Sequence, residues 1–88
     1  MRDATTNDPM ALASRALAAT LADQRLAERF LSLSGIDPPD LRQQAGDPVL
    51  LVALLVFLEA YEPDLIAVAA EVGVKPVALV AARRELEQ

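Results

Sequence analysis

The residues best equipped for chemistry are three carboxylates close together, Glu59, Glu62 and Asp64. Carboxylates grouped this way can hold a hard cation or divide acid and base roles between them. The surrounding sequence gives them a plainer task. Glu62 precedes Pro63 and reads as a helix cap, and Asp64 falls in that helix's first turn, where negative charge is favourable. Ser14, Ser32 and Ser34 could serve as nucleophiles only beside an activating base. The chain contains no His and no Cys. It therefore lacks the commonest general base, the commonest transition-metal ligand, thiol catalysis and disulfides. Its three glycines stand alone at expected helix ends and build no phosphate-cradling loop. No catalytic residue, metal ligand or cofactor is expected, and the chain reads as a non-enzyme.

Nucleic-acid binding is the other chemistry the spacing raises. Residues 66–86 place Ala69, Gly73, Val74 and Leu79 about where a helix-turn-helix puts its small, Gly and aliphatic positions. The outward residues of the second helix would include Val77, Val80 and Ala81, which cannot hydrogen-bond base edges. Lys75, Arg83 and Arg84 are the nearby cations, set against Glu71, Glu85 and Glu87. The whole chain carries 8 basic and 13 acidic residues, a net charge of −5, with no basic cluster to attract phosphates or an anionic membrane. Arg25 and Arg29, at i and i+4 with Glu28 between them, read as a solvated face.

The elements that must position these residues are marked by proline. Pro9, Pro38, Pro48, Pro63 and Pro76 each head a helix-like run, and Asp8, Asp37, Asp47 and Glu62 stand before four of them. An acidic N-cap followed by Pro at the first helical position is a strong start signal. Gly35 and Gly73 are the matching stops, because glycine takes the left-handed conformation without penalty. With Ala and Leu dominating a hydrophobic fraction of 53%, the expected fold is all-α. It is a compact bundle of five to six short helices at about 9–22, 24–34, 38–45, 48–61, 63–72 and 76–86. Asp23 either caps the second helix or kinks a continuous one. Residues 1–7 are expected to be a disordered tail, and 8–88 a single domain. The shared spelling of Gly35-Ile36-Asp37-Pro38 and Gly73-Val74-Lys75-Pro76 suggests one corner used twice rather than a repeat, since the flanking residues do not align.

The fourth helix is apolar all round. Leu50, Leu54, Phe57 and Tyr61 form one stripe, Leu51, Leu55 and Leu58 a second, and Val49, Val52, Val56 and Ala60 most of the remainder. Such a helix must be buried all round. Either the other five wrap it, or one stripe is left for a partner, since soluble monomers avoid large apolar patches. The candidate interface is Leu51, Leu55, Leu58, Leu54 and Phe57, and the expected partner is a second copy or another protein. The run Val49–Leu58 is about half the ~20 residues that span a bilayer, and the polar N-terminus lacks a signal-peptide core. A cytoplasmic protein is expected.

With these motifs in place, the chain resembles a bacterial family, domain of unknown function 3572, found mainly in alphaproteobacteria. The resemblance is carried by Arg29-Phe30-Leu31-Ser32-Leu33-Ser34-Gly35-Ile36-Asp37-Pro38, by Asp40-Leu41-Arg42, and by Ala45-Gly46-Asp47-Pro48. Phe57-Leu58 with Glu62, and Gly73-Val74 with Pro76, complete it over roughly residues 10–86. It implies an all-α intracellular protein and supplies no catalytic residues.

Overall fold

Asp8 shows how the helix starts work. Its backbone is extended and its carboxylate accepts from the Ala11 N–H at 3.0 Å, which satisfies one of the free donors at the start of a helix. In a computed structural model that describes residues 8–88, six helices follow one another and no strand is present among the described residues. They are α1 (Pro9–Ala22), α2 (Gln24–Ser34), α3 (Pro38–Gln44), α4 (Pro48–Glu59), α5 (Glu62–Val72) and α6 (Pro76–Leu86). The expected tail, residues 1–7, lies outside the described residues.

Asp23 settles its alternative: its carboxylate accepts from the N–H groups of Arg25 and Leu26, so α1 and α2 are separate helices. Asp47 caps α4 through the Val49 N–H at 2.9 Å. Two expected caps act otherwise. Asp37 has the extended cap backbone but makes no side-chain capping bond; only its carbonyl accepts, from the Leu41 N–H. Glu62 is not the cap of α5 but its first residue, and Tyr61 takes the cap position. A proline is tolerated anywhere its missing N–H would be unpaired. Pro63 therefore allows the helix to begin one residue early, and the Tyr61 carbonyl accepts from Asp64 and Leu65. α4 ends at Glu59 rather than at 61, where the Ala60 N–H reaches the Val56 carbonyl and the Tyr61 N–H that of Leu58, and α3 ends at Gln44.

The two similarly spelled corners differ. Gly35 and Gly73 are both left-handed, at φ 73° and 90°. At Gly73 the Val74 N–H reaches back to the Ala69 carbonyl at 3.0 Å, the bond that defines a Schellman stop. At Gly35 the following N–H, that of Ile36, bonds instead to the Ser34 hydroxyl.

The core is built where α1 packs against α6, α4 and α5. Ala13, Ala16 and Ala69 are fully buried and let the helices approach closely, while Leu51, Leu54, Leu55, Leu58 and Leu79 fill the space between them. Thr20, also fully buried, donates its hydroxyl to the Ala16 carbonyl, so its polar group is satisfied. The short α3 holds on through Leu41. Thus α4 is not wrapped on all sides: α3 joins it at a bend of 115°, and Val49, Ala53, Val56 and Ala60 remain exposed.

Candidate interaction face

At 100° per residue the five leucines Leu50, Leu51, Leu54, Leu55 and Leu58 share one side of α4, and all are buried. Four of the five residues expected at an interface, Leu51, Leu54, Leu55 and Leu58, are fully enclosed within a single chain, which leaves them nothing to offer a partner. The expected seam is corrected accordingly. Phe57, the fifth, is half-buried at the helix's flank, with its ring 5.3 Å from that of Phe30 and tilted by 58°.

The uncovered side is the one spelled with smaller residues. Val49 is 76% exposed and Val56 47%, and Ala53 and Ala60 lie open beside them. These four recur at spacings of four, three and four, so they stay in line along the helix in the 3.5-residue rhythm of a coiled-coil seam. No charge interrupts them. A groove of ≈ 280 Å³ runs along this line toward α2, with Phe30 and Phe57 among its lining residues and Leu33, 73% exposed, beside Val56. A second hollow, of ≈ 270 Å³, lies at the other end between Val49 and Val52 of α4 and Leu86 of α6.

Ion pairs frame the helix on both flanks. Toward α6, Arg83 holds Glu59 through two of its nitrogens and Glu87 through the third. The hydrogen bond to Glu59 raises the Arg83 guanidinium above its ordinary pKa, with the Glu87 carboxylate adding to it, so it stays charged at any working pH. Toward α2, Arg29 donates to the buried Asp64 carboxylate at 2.7 Å and lies 5.5 Å from the Phe57 ring centre and 5.7 Å from that of Tyr61. Arg25 approaches the same carboxylate at 3.9 Å. Arg29 therefore ties α2 to α5, while Arg25, with its side chain 68% exposed, and Glu28 keep the solvated character expected of that face.

The carboxylates that opened the chemical question are separated by these pairings. Glu59 is committed to Arg83, Asp64 to Arg29, and Glu62 is exposed on its own. Ser14, Ser32 and Ser34 are all exposed, and Ser34 caps the end of α2. Sequence reasoning missed Arg15, which donates to the Val72 carbonyl at 2.6 Å and closes the end of α5. An unpaired arginine on α1 was the only signal available.

Over residues 6–88 the chain matches the family described as protein of unknown function (DUF3572). The chain belongs to that family. No curated protein and no solved structure matches it. The DUF3572 match covers all six helices, so the open side of α4 and the clamps that frame it lie inside the family's domain.

Proposed function

We propose that this family member is a non-enzymatic helical protein-interaction module of the cytoplasm that self-associates through the outward side of α4. The observation that carries the reading is the uncharged line Val49, Ala53, Val56 and Ala60, left open by a chain that buries every leucine of the same helix. A contiguous apolar surface of this kind marks an interaction site more often than an accident of folding. Sedimentation at micromolar concentration tests it. A monomer–dimer equilibrium is expected, and Val56→Glu is expected to leave only monomer with its helix content intact. A wild-type chain that is a clean monomer and binds no hydrophobic dye would overturn the reading. A clean monomer that binds dye, and loses it on Val56→Glu, would retain the face and assign it to a different protein.

The alternative is a nucleic-acid binder of the helix-turn-helix kind, using residues 66–86. It is favoured by the 95° angle between α5 and α6 and by the left-handed Gly73 at their corner. Against it, Val77 and Ala81 are among the exposed residues of α6, and neither can read a base. Retention on heparin that weakens with salt would support this alternative, and failure to bind at low salt would remove it.

A further inference from the structure

Resting on the self-association reading, we infer that the occupant of the open side of α4 is α4 of a second copy, packed antiparallel about a two-fold axis that passes between Leu54 and Leu55. The inference comes from the order of sizes along the line: Val49, Ala53, Val56, Ala60. About that axis Val49 faces Ala60 of the partner subunit, and Ala53 faces Val56 of the partner subunit. The same two pairings recur in reverse on the other half. Every layer then sets a larger side chain against a smaller one, which is how facing helix surfaces interdigitate. A parallel pair would stack valine on valine and alanine on alanine, alternating crowded layers with empty ones. It would also align the two helix dipoles unfavourably, where the antiparallel pair opposes them.

A second copy suits the face in other respects. The seam carries no charge, so neither copy must bury an ion against the other. Leu33, 73% exposed on α2, stands beside the seam and closes it from that side in both copies. The exposed residues offer on the order of 500 Å² per copy, at the upper end of what monomers leave open. Two copies would bury about 1,000 Å², near the lower limit for a specific interface and in the size class of weak, transient pairs.

The chain has no cysteine, which makes single-cysteine variants unambiguous. In the antiparallel pair, Val49 lies level with Ala60 of the partner subunit but about 16 Å along the axis from its Val49, beyond the ~4.4–6.8 Å Cα reach of a disulfide. Oxidising an equimolar mixture of V49C and size-tagged A60C should give mainly the mixed disulfide, and each variant alone little dimer. Homodisulfides from V49C alone, matching or exceeding the mixed product, would overturn the register in favour of a parallel pair. No cross-link in a sample that still sediments as a dimer would overturn the register while leaving self-association standing. A sample that sediments as monomer would overturn both. Ala53→Val gives an independent reading. It should weaken the antiparallel dimer at least tenfold by crowding Val56 of the partner subunit, with Val56→Ala added in the same chain restoring most of the loss. Stronger association on Ala53→Val would overturn the inference, because only the parallel pair has an alanine layer to fill.

Discussion

On the inner side of α4 stand Leu50, Leu51, Leu54, Leu55 and Leu58, none more than 3% exposed. On the outer side stand Val49, Ala53, Val56 and Ala60, all open or half open to solvent. Both sides are wholly apolar, so hydropathy does not tell them apart. Side-chain reach does. Leucine extends far enough to fill the gap to α1, α5 and α6, whereas valine and alanine keep the surface shallow and cost less when left in water, at about 0.8 kcal/mol per exposed CH₂. The contrast teaches that an all-apolar helix can lie at the edge of a bundle, its depth marked by side-chain size.

The strongest way to break this contrast is to place one charge on each side at adjacent positions. Leu55→Glu places a carboxylate at a fully enclosed site, at a cost of several kcal/mol. A chain of this length has a total stability of roughly 4–13 kcal/mol. Loss of the cooperative thermal transition is expected, read by circular dichroism. Val56→Glu, one residue on, should keep its helix content and melt within a few degrees of the wild type while losing the dimer. If both variants unfold, the outer side is part of the monomer core and the contrast fails.

Truncation gives a graded version. Leu54 is fully buried, and Leu54→Ala should cost about 2–5 kcal/mol, the range for emptying a close-packed leucine site. Val49→Ala should lie within about 0.5 kcal/mol of the wild type at concentrations where the chain is monomeric, since exposed substitutions rarely do more. Urea denaturation of dilute samples measures both. Comparable losses for the two would mean that Val49 is covered by something within the chain.

How far the sequence carried this picture depends on distance along the chain. Asp8 and Asp47 cap helices where their neighbours said they would, Asp23 takes the cap among its two readings, and Gly35 and Gly73 stop helices, because those devices act within a few residues. The resemblance drawn from the same motifs agrees with the family match. Tyr61 took the cap expected of Glu62 because two starts one residue apart are close in energy when proline permits both. The choice of stripe on α4 was not legible. Periodicity groups residues into faces, but which face turns inward depends on elements far away in sequence. Arg29 finds Asp64 35 residues on, and Arg15 finds the Val72 carbonyl 57 residues on. No local pattern announces either pairing.

Arg29 tests whether the flanks of α4 belong to the inner or the outer regime. It holds a carboxylate with only 4% side-chain exposure while remaining 40% exposed itself. Arg29→Ala leaves Asp64 with the more distant Arg25 and strips the cation from the Phe57 and Tyr61 rings. The expected loss is about 1–2 kcal/mol of folding stability, reduced from a fully buried pair by solvent screening. Asp64→Asn in the same background should add little if the two residues act as one unit, and a double-mutant cycle in urea reads that coupling. Additive losses would show that Arg29 contributes through its stacking on the aromatic rings, and the flank would then count with the apolar face.

The smallest effect lies at the ends of the outer side, where charge returns. Asp47, the cap of α4, and Glu62, the first residue of α5, flank the two ends of that helix, and both are exposed. In the proposed antiparallel pair the start of one α4 lies near the end of the other, so carboxylates gather at each end of the seam, on a chain of net charge −5. Salt should tighten the association, because screening weakens like-charge repulsion more than it affects apolar contact. Glu62→Gln should tighten it several-fold at low salt and flatten the salt dependence. The same substitution removes a favourable charge from the first turn of α5, so folding stability should fall by about 0.3–1 kcal/mol. A variant that folds less stably yet dimerises more tightly separates the two sides of α4 in one measurement pair, sedimentation and urea melts of the same sample. Association that weakens with salt would instead place opposite charges across the contact, and the antiparallel register would not survive it.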